Sequence, residues 1–457
     1  MPAGGNDSFG ERLRLAVAPP TGRGLALLLA ALAPLGLGVR FPGLVWPGVT
    51  LTVLAYLLLC LDGARAPGRA RLAASREHPP TFPVGRASEV TVELVAHGST
   101  LGTGTPARVR DEHPVDVPAS LEVQSAILRD AVPTTLHYTL TPPARGVRRF
   151  GDLVVRVPGP WRLSTRQTSL ALGEDAVVVD PDLSSVRAFE ALARRGQLAE
   201  LGVRAMRRRG EGTEFERIRE AVADDPLRSI NWRATARTGR LMATELIPER
   251  AQTVVVCIDC GRLMGVGAGA LTKLDHALSA ALLLAHVALR TGDRVGMVAF
   301  AAGVTAAVPP RAGRVQLGAL LEAARPLHPA GVEADFDNLG EYLERTQRRR
   351  ALIAIFTDIV DPDQGQSLVA QCRRLQRRHL PLVITVRDPA VDEAARARPR
   401  RVSDAYSRAV AASMLSDRAA VLRTLRASRI HTIDADARAL SPRLVNRYLE
   451  VKRRARL

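Results

Sequence analysis

Residues 253–259 read TVVVCID. A run of β-branched and apolar side chains that stops at a carboxylate is the pattern of a strand buried on both faces of a parallel sheet, delivering its last side chain to the sheet's edge. Similar runs recur at 294–300, 352–356, 382–386 and 430–433. Helix-period segments lie around them at 271–289, 317–323, 338–348, 367–377, 405–426 and 442–454. Strands alternating with helices predict an α/β domain over 253–457, a doubly wound, Rossmann-like sheet covered on both faces. Ligands on such sheets sit at the carboxyl ends of the strands, near the switch point. Asp259 and Asp358 each follow an apolar run, so both are expected at that edge. The apolar stretch 277–289 is too short to span a membrane and carries Ser279 and His286, so it reads as a core helix.

Upstream of residue 253 the chain is polar and dense in charge. Glu214, Arg219, Asp225, Arg228, Arg237 and Glu245 surround Ile230 and Trp232. Such charges either form an internal ion-pair network that fixes the segment or present a docking patch. Their alternating sign favours the network, and Trp232 is expected to be a core anchor. From residue 89 to about 180, short alternating segments at 89–95, 120–123, 134–140 and 153–157 are broken by Arg145-Gly146 and Phe150-Gly151. They predict a small β-sandwich-like domain, a spacer or docking surface without a site of its own.

Residues 24–39 carry no charge between Arg23 and Arg40, and a second apolar run at 44–61 contains Trp46 and stops at Asp62. A helix needs about 20 residues to cross a bilayer core. The first run is short and would rely on snorkelling arginines or a locally thinned bilayer. A cleaved signal peptide fits less well, because the second run follows at once without a small-residue cleavage site. The pattern predicts a hairpin of two transmembrane helices. Arg12, Arg14 and Arg23 precede it, Arg65, Arg69, Arg71 and Arg76 follow it, and only Arg40 lies between. The positive-inside rule then places both termini and the soluble domains in the cytoplasm, making this a multi-pass protein of the inner (plasma) membrane. The expected organisation is a tail over 1–23, two spans over 24–61, a linker over 62–84, a β-rich domain over 85–182, the charged segment over 183–252 and the α/β domain over 253–457.

The 457 residues carry 64 basic and 46 acidic side chains, a formal net charge of +18. Only Lys273 and Lys452 are lysines; the other basic residues are arginines. A GC-rich coding sequence explains an Ala- and Arg-rich chain, and attraction to anionic lipid is the functional alternative. Nucleic-acid binding is not expected, because the arginine clusters at 207–209 and 348–350 have no aromatic side chains beside them to stack bases. The cysteines 257 and 260 match C-x-x-C, but strand alternation points them to opposite faces, unlike a redox pair at a helix start. No Walker A sequence or nucleophile elbow is present, and Gly265, Gly267 and Gly269 lack dinucleotide-binding spacing.

One family is similar over this region. Gly212-Thr213-Glu214-Phe215, Ile218-Arg219, Asp225-Pro226-Leu227-Arg228, Ile230-Asn231-Trp232, Ala236-Arg237 and Ile258-Asp259, in that order and spacing, resemble the bacterial proteins known as domain of unknown function 58. Ala221 and Asp224 depart from the usual aromatic and glycine of that pattern. The resemblance implies a membrane-anchored relative of the von Willebrand factor A domain. That fold typically holds Mg²⁺ through D-x-S-x-S after the first strand, a threonine on a second loop and a later aspartate. Here Asp259 and Asp358 match the two aspartates, Gly261 and Leu263 take the serine positions, and Ala334 takes the threonine position beside Glu333 and Asp335. The implied metal site is degenerate, with Asp361 and Asp363 the nearest compensating acids. Mg²⁺ is the one candidate cofactor and is expected to bind weakly or not at all.

The resemblance further implies a non-catalytic interaction or adaptor protein that partners a MoxR-type AAA+ ATPase in envelope-related assembly or maturation. Gly212, Glu214, Arg219, Asp225, Arg228, Trp232, Arg237 and Glu245 are the signature positions. The competing classes are a scaffold bound to anionic lipid and a metal-dependent hydrolase using Asp259 and Asp358.

Overall fold

A computed structural model describes residues 19–97, 104–173, 175–195, 214–222, 225, 227–247 and 252–453. The chain divides into two units, Met1–Val179 and Asp180–Leu457.

The first unit begins with two apolar helices, α1 (Gly22–Leu37) and α2 (Val45–Arg65). Thr21 caps α1 by accepting from the Gly24 amide. The helices pack antiparallel through small residues: a Cβ on Gly48 would lie 2.7 Å from the Leu35 amide nitrogen, and the Thr52 hydroxyl donates to the Ala31 carbonyl at 3.2 Å. Among the described residues, the helical stretch Pro42–Arg71 alone is long and apolar enough to cross a membrane. At 16 residues, α1 rises about 24 Å against a bilayer core of about 30 Å.

Ten strands follow: β1 (Leu72–Glu77), β2 (Thr81–Pro83), β3 (Ser88–Ala96), β4 (Thr105–Asp111), β5 (Gln124–Leu128), β6 (Thr134–Leu140), β7 (Gly146–Arg149), β8 (Leu153–Pro158), β9 (Thr165–Leu170) and β10 (Ala176–Asp180). They form three small sheets ordered β1-β3-β6, β2-β10-β7 and β5-β4-β8-β9. Alternate residues of β3 (Val90, Val92, Leu94) are fully buried, the period-2 pattern of a strand with one face in a core. The strand expected at 120–123 is absent. Those four residues are all exposed, so no inward face holds them in a strand; the Ser120 amide donates to the Thr139 carbonyl, and the strand itself starts at Gln124.

A buried carboxylate is central to the joint between the two helices and the β region. Asp62, fully buried near the end of α2, accepts from the amides of Trp161, Leu163 and Ser164 at 2.7, 2.8 and 2.9 Å. Gly159 lets the loop close on it, since a Cβ there would lie 2.4 Å from the carboxylate. Thr21, at the start of α1, bonds the same loop through its amide to the Leu163 carbonyl.

In the second unit, α3 (Ser184–Arg194) leads to a two-stranded antiparallel sheet, β11 (Glu214–Glu220) with β12 (Met242–Ile247), and α4 (Trp232–Thr238) lies between them in sequence. The main sheet is built from β13 (Thr253–Asp259), β16 (Arg294–Phe300), β17 (Val304–Arg311), β18 (Leu352–Thr357), β19 (Leu380–Arg387) and β20 (His431–Asp436), with a short β14–β15 hairpin at 267–272. Its order is β17-β16-β13-β18-β19-β20. All pairs are parallel except β16 with β17. That edge strand was not expected from the sequence: half of its residues are exposed, and Pro309 and Pro310, which cannot donate to a ladder, confine it to the edge.

Helices cover both faces. Leu274 of α5 (Lys273–Arg290), Leu320 of α6 (Arg314–Ala324) and Leu444 of α11 (Ala437–Arg453) join Val254, Val256 and Ile258 in one core. Leu339 of α7 (Phe336–Thr346), Leu368 of α8 (Pro362–Gln376) and Leu422 of α10 (Val402–Ala427) join Val255 and Cys257 in the other. A further short helix, α9 (Pro389–Arg396), follows β19. Cys257 and Cys260 lie in opposite cores and are not joined in a disulfide. The apolar run that contains His286 is the buried core helix α5.

Asp62→Ala should leave three amides without a partner and cost about 2–4 kcal/mol. Thermal melting of the detergent-solubilised chain measures this, and an unchanged melting temperature would show that the loop does not depend on the carboxylate.

Candidate functional site

From β13 the chain moves outward to β16 on one side, then returns to place β18 on the other. The carboxyl ends of β13 and β18 therefore flank the switch point of the sheet. Asp259 ends β13 and Asp358 follows β18, and the structure brings these two sequence-identified residues to the same edge, both almost fully buried.

Their environments differ. Asp259 accepts from the Gly261 amide and the Thr357 hydroxyl, each at 2.6 Å, and no base pairs with it among the described residues. Burial pushes its carboxyl up to about 6, against those two hydrogen bonds, and Asp358 adds to the rise. Asp358 is saturated by cations. Its Oδ2 lies 2.5 Å from Lys273 Nζ, and its Oδ1 accepts from Arg418 Nη1 and from the Ile359 amide. The network continues through Arg418 Nη2 to Asp434 at 2.8 Å and from Asp434 to Arg387 at 2.7 Å. Burial raises the Asp434 carboxyl, but Arg418 and Arg387 outweigh it and hold the group below the usual carboxylate range.

Local sequence explains how the bases arrive. Thr272 and Asp275 form a capping box at the start of α5: the Thr272 hydroxyl accepts from the Asp275 amide, and the Asp275 carboxylate accepts from the Thr272 amide. The cap fixes the first helical residue, Lys273, whose amide also bonds the Val266 carbonyl. Arg418 reaches the edge from α10 with its side chain buried. The sequence reading passed over both bases. The signal for Lys273 was available, as one of two lysines in an arginine-rich chain placed just after a capping threonine.

The implied Mg²⁺ does not fit these residues. Gly261, Leu263 and Ala334 offer no side-chain oxygen, and both oxygens of Asp358 are taken by bases. A Cβ on Gly261 would lie 2.9 Å from Asp259 Oδ1 and 3.1 Å from the Ala334 amide nitrogen, so even a serine there meets steric resistance. The neighbouring acids are committed elsewhere: Asp335 and Asp361 cap α7 and α8, and Glu333 pairs with Arg262. No group of three or more His, Cys, Asp or Glu able to hold a metal occurs among the described residues.

The charged signature lies on β11, α4 and β12. Arg219 donates to both oxygens of Asp225 at 2.7 and 2.8 Å, and Asp225 also accepts from the Val222 amide. Arg237 is exposed and has no ion-pair partner among the described residues. Gly212 and the side chains of Glu214, Arg228 and Glu245 lie outside the described residues. Trp232 is not a core anchor. Asn231 caps α4 by accepting from the Ala234 amide, and the helix it starts carries the indole outward, 65% exposed. Leu227 at 80% and Leu241 at 55% are exposed on the same short segment, with Arg233 and Arg237 on the helix beside Trp232. The helix ends at Gly239, whose φ of +68° suits glycine.

Residues 217–427 match the family model described as Protein of unknown function DUF58. These residues form a DUF58 domain. The match runs from β11 through α10 and so contains Asp259, Lys273, Asp358 and Arg418, while Asp434 lies beyond it. Uncharacterized proteins of Mycobacterium bovis and Mycobacterium tuberculosis are 29% identical over 182 residues, 39% of this chain, and the chain spans 56% of their length. Among solved structures, proximal thread matrix protein 1 from the mussel byssus is 11% identical, with a TM-score of 0.25 over 44% of this chain and 47% of that one. The CARDB domain of a Pyrococcus furiosus protein is 17% identical, with a TM-score of 0.16 over 24% of this chain and 86% of that domain. At these scores neither likeness bears on function.

The two edge carboxylates should respond oppositely to neutralisation. The folded state holds the Asp259 proton up to about pH 6, whereas the ordinary value is 3.8. Stability therefore falls as pH rises through that interval, by about 3 kcal/mol in total, and is level above it. Asp259→Asn should melt no lower than wild type above pH 6 and should flatten this slope. Asp358→Asn leaves Lys273 without its counter-charge and should cost about 3–5 kcal/mol. Melting curves of both variants between pH 4 and 8 test the contrast, and equal losses would contradict it.

Proposed function

We propose that this chain is a membrane-anchored, non-catalytic docking protein whose contact surface is the exposed face around Trp232. The observation that carries this reading is three large apolar side chains exposed within fifteen residues: Leu227 on a short turn, Trp232 at the start of the capped helix α4, and Leu241 just before β12. Isolated exposed apolar residues are ordinary, but a tryptophan-centred group flanked by arginines is the composition of an interaction hot spot. The basic flank, Arg233 and Arg237, suits a partner whose apolar surface is bordered by acidic groups. The saturation of Asp358 by Lys273 and Arg418 supports a non-catalytic role for the sheet edge and leaves the hydrolase reading without a metal site.

The partner is a MoxR-type AAA+ ATPase, as the resemblance of the signature segment implies, acting in envelope-related assembly or maturation. The strand order of the main sheet, with its antiparallel edge strand, supports a von Willebrand A-like reading of the domain. The antiparallel packing of α1 on α2 supports a two-span hairpin, and the arginines flanking it support a cytoplasmic position for both termini. Lipid attraction of the basic surface would then assist the anchor rather than replace it.

Trp232→Ala should reduce capture of the ATPase by the full-length protein about tenfold or more. The melting temperature should stay unchanged, because the indole is not part of a core. A lowered melting temperature with binding intact would defeat the reading. A cytoplasmic reporter fused after Leu457 should be active and a periplasmic one silent; the reverse would place the docking surface on the wrong side for a cytoplasmic ATPase.

A further inference from the structure

We infer that the sheet edge of this DUF58 domain carries its own cation: the ammonium of Lys273, seated on Asp358, does the work of a bound divalent ion, so that the edge is assembled without metal.

The charges balance without one. Two carboxylates, Asp358 and Asp434, meet three bases, Lys273, Arg418 and Arg387, through contacts of 2.5 Å for Lys273–Asp358, 2.8 Å for Arg418–Asp434 and 2.7 Å for Arg387–Asp434, together with the Arg418–Asp358 contact, and Asp259, which touches none of these bases, supplies the third carboxylate at the edge. A divalent ion added to this balanced set would leave it with a net positive charge, and it could reach Asp358 only by displacing a base. Buried charges without partners are costly, so a carboxylate that stays ionised beside another at a switch point is stabilised by a cation. The capping box of α5 delivers that cation as a fixed part of the chain.

The choice of residue points the same way. Arginine serves almost everywhere in this sequence, and both lysines are reserved for buried carboxylates: Lys273 for Asp358, and Lys452 for Asp293 at 2.6 Å. A compact point charge on a flexible stem approaches a single carboxylate oxygen in a closed site where a planar guanidinium would need room for its fork. Lys273 shares Asp358 with the Arg418 guanidinium, and each base takes a separate oxygen.

Manganese titration of the full-length protein in detergent, read by the electron paramagnetic resonance signal of the free ion, tests this directly. Wild-type protein should leave the free-ion signal unchanged, and neither magnesium nor a chelator should shift its melting temperature. Lys273→Met should melt lower and should remove free manganese stoichiometrically, with manganese restoring part of the lost melting temperature. Stoichiometric manganese binding by wild type, abolished by Asp259→Asn, would overturn the inference. So would a folded Lys273→Met protein that neither melts lower nor binds the ion. If Lys273→Met fails to fold, the double variant Lys273→Met/Asp358→Asn decides. Recovery of folding shows that the single variant failed for want of the internal counter-charge. Failure of the double variant to recover overturns the pairing on which the inference stands.

Discussion

The ion pair between Lys273 and Asp358 is the constraint on which the α/β unit turns. A parallel sheet delivers the ends of its central strands to one edge, and here two of those ends bring carboxylates into a nearly dry site. Two buried carboxylates side by side repel each other and are poorly solvated, so each must lose its charge, gain hydrogen bonds or gain a cation. The two aspartates meet this demand differently. Asp259 has only a hydroxyl and an amide, and its affinity for a proton rises accordingly. Asp358 has two bases, one from the first turn of α5 and one from the middle of α10. The pair thereby ties helices on opposite faces of the sheet to the same strand end.

That arrangement changes what the edge can do. A site of this geometry with free carboxylates would attract a hard divalent ion and present it to a ligand. With Lys273 and Arg418 in place the carboxylate oxygens are satisfied internally, and the edge becomes a rigid structural joint. Large exposed apolar side chains, the contact surface proposed above, lie elsewhere in the unit, in the β11–α4–β12 segment. There Asn231 and Gly239 define a helix of two turns that carries Trp232 into solvent. The first unit also satisfies its buried charges internally. Arg76 is held between Asp111 and Asp175 and lies 4.4 Å from the Phe150 ring. Asp62, buried at the end of α2, fastens the loop 159–164 to the helices.

Much of the α/β unit was legible because its strands are buried on both faces and therefore read as unbroken apolar runs. The segments 253–259, 294–300 and 352–357 announce themselves in this way. The edge strand β17 did not, since its exposed half interrupts the apolar signal and its prolines argue against a strand. The segment 120–123 misled for the opposite reason: it alternates in sequence but has no partner face to bury against. Trp232 misled because a large aromatic beside apolar residues usually marks a core, and only the start of α4, set by Asn231, turns it outward.

By itself the sequence determined that Asp259 and Asp358 stand at the ends of buried strands, that an apolar helix precedes the folded units, and that residues around Trp232 carry a family signature. Each follows from local pattern: hydrophobic period, run length and motif spacing. Tertiary structure alone decided what neutralises those aspartates. Lys273 and Arg418 stand 85 and 60 residues from Asp358 along the chain, and no local pattern encodes which of many bases will meet a given carboxylate. That is settled by the packing of α5 and α10 against opposite faces of the sheet. The same packing draws Asp358, one of two carboxylates that looked like the remnant of a metal site, into an ion-pair network, and leaves Asp259 to a hydroxyl and an amide.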